Sequence, residues 1–378
     1  MIDLQESRIK IDEIDQKIVE LFEARMNLAL DIADYKRSVG KPIYDPAREE
    51  EKLEKLRAIT KNEFNQKAIS DLFLQIMSMS RRLQYMMLDS HDSFGFHTFD
   101  NIISGKDTRV LFFGETGSYT EQAMREYFKS EVTAVAKESF QEIMQAIKEG
   151  SAEYGVLPIE NSSTGALSDI YDLLAEYDNY IIGEHVVKIE HHLWGLEGAK
   201  LEDITTIYSH RQPLMQCSGF LKQHGDIKQF DGGSTASSAR KVLEDQDRNQ
   251  AAIASRRAGQ LLGLHLLQEA IQDDETNSTR FIIISNKRIY DKQANCTSIC
   301  FALPHKSGSL YHTLSHFIYN NVNMTRIESR PIAGKAFEYR FFVDIEGGLN
   351  HPAVMNALHC IKEEALEMKI LGSFQPVS

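Results

Sequence analysis

The chain is 378 residues long, 42% hydrophobic and 26% charged, with a formal net charge of -13. That length exceeds one ordinary core, so two or three domains are expected. No apolar run reaches the roughly 18 residues a membrane span needs, and the charged start MIDLQESRIKIDEID has no apolar signal core. Four scattered cysteines make no disulfide framework and point to a reducing cytoplasm. The negative balance disfavours nucleic acid and anionic membranes, so an anionic substrate has to be met by local Arg, Lys and helix N-termini.

Residues 3 to 88 are almost free of Gly, hold only Pro42 and Pro46, and follow a helical period, which predicts an all-helical domain over 1–90. Ile11, Ile14, Ile18, Leu21, Leu28, Ile32 and Tyr35 keep heptad-like spacing, and Arg25 falls where that stripe calls for an apolar residue. Gly40-Lys41-Pro42 ends the helix, Asp45 caps a short second one with Pro46 at its first position, and a third runs from about Phe64 to Leu88. Ser80 and Gln84 extend the buried face of Phe73, Ile76 and Met77. Residues 89 to 104 break the period around Phe94, Phe96 and Phe99 and read as a linker that packs onto the rest.

From Arg109 strands alternate with helices. Apolar strands at Val110 to Phe113, Tyr154 to Leu157, Thr205 to Tyr208 and Ala251 to Ala254 lead into turns. Polar motifs sit at such turns: GETGSYT (114–120), PIENSST (158–164), SHRQP (209–213) and GGSTAS (232–237). Four junctions around one cleft predict a two-lobed α/β domain, taken as 105–286, with the ligand between its lobes. At GVLPIENSSTGAL (155–167) a strand runs into a polar turn that is expected to open a helix, a place suited to a small dianion. After the strand at Phe281 to Ser285, residues 296–378 read βαββαβ, an α+β ferredoxin-like order.

Several tempting motifs carry less. His191 and His192 are neighbours on a strand and point to opposite faces, so they do not share a ligand and the pair is given a structural role. Cys296 and Cys300 lack zinc spacing, and GETG is too short for a nucleotide loop.

The helical segment resembles the all-helical chorismate mutases, with matches at Arg8, Arg25, Lys36, Asp45, Arg48, Glu49, Ser80 and Gln84. Arg25 and Lys36 are 11 residues apart, close to three turns, and so share a face about 16 Å long. Arg8 lies 17 residues before Arg25, about 25 Å away, in keeping with a family in which that arginine comes from the partner of an intertwined homodimer. The resemblance implies a pericyclic rearrangement of chorismate that needs restraint and charge stabilisation but no metal, cofactor or general base. It gives the two carboxylates to Arg8 and Arg25 with help from Ser80, the ether oxygen to Lys36 and Gln84, and the ring hydroxyl to Asp45, Arg48 and Glu49.

Residues 107 to 286 resemble prephenate dehydratases through GSYTEQA (117–123), the PIENSST turn and Thr279-Arg280-Phe281. The resemblance implies loss of carbon dioxide and hydroxide from prephenate, with Thr279 assisting departure of the hydroxyl. Asn161, Ser209, Gln212, Gln216 and Thr235 would bind substrate, Glu160 would orient, and Arg280 would polarise the site or bind a carboxylate. Arg211 stands where that family usually has proline, a change the helix start is expected to survive. The last segment resembles ACT regulatory domains that respond to phenylalanine, through Glu328, Ser329, Arg330 and Pro331 in NMTRIESRP and through Gly308, Ser309 and Leu310. Two rivals stay open at this level: a dehydratase that takes arogenate, and a non-catalytic amino-acid sensor.

Overall fold

The computed structural model describes residues 3–87, 93–100, 102, 104–129 and 131–377. The expected end of the third helix at Leu88 and part of the 89–104 linker lie outside them. Helix α1, Leu4–Val39, starts where the Asp3 carboxylate accepts from the Gln5 and Glu6 amides and stops at Gly40, whose φ of 66° suits glycine. Helix α2, Pro46–Ala58, is capped by Asp45, and helix α3, Glu63–Met87, packs on both. Ala29, Ala33, Leu53 and Met77 are buried among the three.

The apolar stripe of α1 is left bare. Ile11 is 54% and Leu21 71% exposed, as are Ile14, Ile18, Leu28, Ile32 and Tyr35 to similar degrees. A 36-residue helix runs about 54 Å, whereas α2 and α3 cover only its second half. One chain alone cannot bury that stripe.

Beyond the linker, where Phe96 packs edge-on to Tyr180 at 5.2 Å and His97–Phe99 pairs in parallel with Ile289–Asp291, the described residues form two larger sheets. The second lobe is a sheet in the order His265–Gln268, His192–Gly195, Gln250–Ala254, Thr206–Ser209, Lys228–Asp231. The first lobe carries Tyr180–Lys188, Ser278–Ser285, Tyr154–Asn161, Arg109–Phe113 and Thr133–Lys137 side by side. Its sheet does not end there. Gly372 pairs with Ile181, so the C-terminal strands Glu367–Phe374, Cys296–Ala302, Tyr339–Glu346 and Met324–Pro331 continue the same sheet. Leu157, Ile282 and Ile284 of the lobe share one core with Cys300, Phe342, Leu371 and Phe374. Two helices, Ser309–Tyr319 and Pro352–Glu364, cross this C-terminal unit, and the latter also packs on α3.

One local expectation fails. The strand at Tyr154 runs on to Asn161, and Gly165–Ala166 folds back onto it before the next helix, Ser168–Glu176, begins. The amides after Asn161 therefore do not form a helix N-terminus: those of Ser163 and Thr164 donate to Asn161 Oδ1 at 3.0 and 3.2 Å. Periodicity also misses the strand Lys228–Asp231, which is exposed on every residue and has no apolar face to signal it.

Candidate active sites

In the helical domain Arg25 is half-buried and donates to the Ser80 hydroxyl, and its second contact is the Ile76 carbonyl at 3.4 Å. Ser80 in turn donates to Ile76 O at 2.9 Å, which fixes its acceptor lone pairs toward Arg25. Gln84, one turn further on, is buried with its amide oxygen unpartnered among the described residues. A buried orphan acceptor costs about 1–3 kcal/mol and calls for a donor, whereas the role expected of Gln84 is to donate through its amide nitrogen. Lys36 donates to the Ile43 carbonyl. Burial pushes its ammonium below the ordinary value while Asp45 and Glu49 hold it up; burial likewise lowers Arg25 against the pull of Glu49.

Not every matched position joins this group. Arg48 is exposed and pairs with Glu51 at 3.0 Å. Asp45 spends one oxygen on the Arg48 amide at 3.0 Å as the cap of α2. Glu49 is turned to Arg81, which sequence reasoning did not single out. Arg8 is exposed on the same continuous helix as Arg25, too far along it to reach the site of its own chain.

The second site lies between the two α/β lobes, a cleft of about 470 Å³. All four polar junctions reach it, contributing Tyr119, Asn161, Gln212 and Thr235, and Gln216 and Thr279 line it too. Asn161 is the centre of its order. The Asn161 amide donates to Asn277 Oδ1 at 2.8 Å and to Thr279 Oγ1 at 2.9 Å. Because Thr279 accepts there, its own proton is free to be donated into the cleft. Gln212 reaches across the lobes to Thr164 Oγ1 at 3.3 Å. The helix Arg211–Gln216 does start at Arg211, whose side chain is exposed, with His210 as its cap. Gly117 must be glycine here: φ is 94°, and a Cβ would lie 2.9 Å from Ala258.

Three expected contributors are elsewhere. Strand residues alternate between faces, so if Thr279 faces the cleft its neighbour Arg280 faces away. There Arg280 meets Glu160 at 3.1 Å, Glu184 at 3.3 Å and Asp344 of the C-terminal unit at 3.7 Å. Burial opposes that cation, but Glu184, Asp344 and Glu160 hold it above its ordinary value. Glu160 sits on the same far face and also pairs with Arg326 at 3.1 Å. Ser209 is buried and donates to the Ile253 carbonyl at 2.8 Å, tying two strands together rather than lining the cleft.

His191 is a correction in the other direction. It and His192 do point to opposite sides, His192 accepting from the Ala270 amide at 3.1 Å. His191 alone lines the cleft, with Nε2 2.9 Å from Gln216 Oε1 and Nδ1 3.1 Å from the Tyr119 hydroxyl. Burial holds it below the ordinary histidine value, which favours the neutral ring.

A helical site built of cations and amides, separate from a polar interlobe cleft with a free hydroxyl donor, defines an enzyme with two active sites on one chain. The family model for chorismate mutase type II matches residues 7–85, and that for prephenate dehydratase matches residues 110–289. The bifunctional chorismate mutase/prephenate dehydratase of Pseudomonas aeruginosa is 32% identical over 377 residues, covering 98% of this chain and 97% of that protein. A prephenate dehydratase from Arthrobacter aurescens, solved in complex with L-Phe, is 29% identical with a TM-score of 0.66 over 71% of this chain and 90% of its own. GqqA, described as a novel type of quorum quenching acylase, is 30% identical with a TM-score of 0.65 over 71% of this chain and 98% of its own. The chain belongs to the bifunctional chorismate mutase/prephenate dehydratase family, an isomerase and a lyase of phenylalanine biosynthesis joined in one polypeptide.

Proposed function

We propose that residues 1–90 rearrange chorismate, residues 105–286 turn the resulting prephenate into phenylpyruvate, and residues 296–378 form a ferredoxin-like ACT unit that senses phenylalanine, all in the cytoplasm. In the mutase, Arg25 with Ser80 holds one carboxylate, and Lys36 and Gln84 donate to the ether oxygen as negative charge develops there. Glu49 and Asp45 receive the ring hydroxyl. Arg8 of a second copy closes the site and Arg48 swings inward to join it. The bare stripe of α1 supports the homodimer this needs, since apolar burial yields about 25 cal/mol per Å².

In the dehydratase, the C–C bond to the ring carboxylate breaks, carbon dioxide leaves, and its electron pair aromatises the ring and expels hydroxide. The Thr279 hydroxyl keeps its proton and donates a hydrogen bond to that departing oxygen, which leaves as hydroxide and becomes water by taking a proton from solvent. The observation that carries this reading is the Asn161 amide on Thr279 Oγ1, which leaves the hydroxyl proton free for another acceptor. No Lys or Arg is among the described residues that line the cleft. Substrate carboxylates are met instead by Gln212, Gln216 and the N-terminus of the helix Thr235–Asp245, whose free amides and dipole favour an anion. Arg280 and Glu160 brace the Thr279 strand from behind. Purified protein given chorismate, prephenate or arogenate separately, with and without phenylalanine, tests the whole assignment: phenylpyruvate from chorismate and prephenate supports it, and turnover of arogenate alone contradicts it.

His191 positions Gln216 in this account. His191→Asn is expected to lower dehydratase kcat/KM about 5- to 100-fold, the worth of one buried hydrogen bond, with mutase rates unchanged. A steady-state comparison with both substrates checks it.

For the effector, Gly308, Ser309 and Leu310 open the helix Ser309–Tyr319, with Gly308 at a φ of 85°. Glu328, Ser329, Arg330 and Pro331 lie on the outermost strand, whose free edge is available to a second copy. Arg330 also reaches Asp172 of the dehydratase lobe at 2.6 Å, a direct link from the effector strand to a catalytic lobe. Phenylalanine binds between facing loops and strands of two copies. Gly308→Ala strains that turn and is expected to weaken phenylalanine binding at least about tenfold while basal dehydratase turnover stays within about twofold. Calorimetry showing unchanged affinity in that variant would remove the loop from the effector site.

A further inference from the structure

Arg81 follows Ser80 on α3, yet it does not face the Arg25 contact. Its side chain is 5% exposed and lies where the helical domain meets the C-terminal unit. Nη1 donates to both oxygens of Glu49, at 2.6 and 2.5 Å, and Nη2 donates to Glu364 at 2.8 Å. The Tyr44 ring stacks over the guanidinium, 4.9 Å from its centroid. Glu364 ends the helix Pro352–Glu364 and lies 2.9 Å from His316 Nε2 on the helix Ser309–Tyr319, and His316 Nδ1 meets Ser78 of α3 at 3.3 Å. Burial opposes the Arg81 charge, but Glu49 and Glu364 together hold the cation above its ordinary value. Each end of the guanidinium fork therefore answers to a different domain.

We propose that Arg81 is a positioning residue of the mutase site, one that fixes the Glu49 carboxylate and takes its own orientation from Glu364 of the C-terminal unit. The proposal rests on the reading of Glu49 as an acceptor for the chorismate ring hydroxyl. A carboxylate has about four lone-pair directions, and two directed at one nitrogen leave the others aimed at a constant place. A lysine would supply the charge and donors but not the rigid planar fork, so it would hold Glu49 and Glu364 together in a less defined geometry. In this arrangement the C-terminal unit completes the mutase site without touching chorismate.

The test measures mutase kcat and KM in the full-length protein for Glu49→Gln, Arg81→Met, Arg81→Lys, Glu364→Gln and the double variant Arg81→Met with Glu364→Gln. Dehydratase rate and helical circular dichroism serve as controls of integrity. Arg81→Met is expected to lower mutase kcat/KM by about 10- to 100-fold, mainly through KM, and Glu364→Gln by about 3- to 10-fold, with dehydratase rates kept. Arg81→Lys should recover part of the loss, and the double variant should be no worse than Arg81→Met alone, because both changes cut one chain of contacts. Mutase kinetics of Glu364→Gln equal to the parent's, or losses that multiply in the double variant, overturn the proposal. If Arg81→Met loses helical signal, Glu364→Gln decides alone, since it keeps the Arg81 to Glu49 pair. An unimpaired Glu49→Gln overturns the reading of Glu49 and the proposal with it, whereas an impaired Glu49→Gln beside unimpaired Arg81 and Glu364 variants overturns the proposal only.

Discussion

Thr279→Val is expected to cut dehydratase turnover by about 10²-fold or more while mutase turnover stays at the parent value. The substitution keeps the β-branched shape that suits a strand and removes only the hydroxyl. Its neighbour survives the change. Asn161 loses the acceptor at 2.9 Å but still donates to Asn277 Oδ1 at 2.8 Å and Ser278 O at 3.2 Å, so the turn that shapes the cleft is retained. What disappears is a donor aimed at charge that develops as hydroxide departs, and such donors are typically worth about 10²- to 10³-fold. Stopped or slowed formation of phenylpyruvate from prephenate is the readout, and near-normal kinetics would reduce Thr279 to a structural residue.

Lys36→Ala is expected to abolish mutase activity and leave the dehydratase nearly intact. Lys36 is held by the Ile43 carbonyl on a site whose other cation, Arg25, is committed to Ser80. No other residue assigned to the site brings an ammonium to the ether oxygen. Loss of a donor to a developing oxyanion costs on the order of 10²-fold or more, and here the missing donor is also a charge. The two sites share no residue, so prephenate turnover has no reason to follow. Equal loss of both rates would mean that Lys36 supports the whole fold.

Much of this architecture was legible because it follows simple periods. The heptad stripe with Arg25 set into it gave both the long helix and a cation on its apolar face, and the polar turns gave the cleft. Two misplaced residues, Arg280 and Glu160, share one cause, which is reading a motif as a unit when the backbone divides it. Thr279-Arg280 and Glu160-Asn161 are adjacent pairs on strands, and a period of two sends one member of each into the cleft and the other behind it. That signal was present in the sequence. The same period separates His191 from His192, and of those two rings His191 is the one that lines the cleft. Arg81 is different. Its meaning depends on Glu364, 283 residues away, and no local pattern reports such a contact.

If one chain carries two independent sites acting in sequence, a single time course shows it most directly. Purified Thr279→Val protein is supplied with chorismate, and prephenate and phenylpyruvate are followed together. Chorismate is expected to be consumed at the parent rate while prephenate accumulates, with phenylpyruvate appearing only after acid treatment converts it. Phenylpyruvate forming without acid at the parent's rate, or chorismate left unconsumed by the folded variant, would contradict that arrangement.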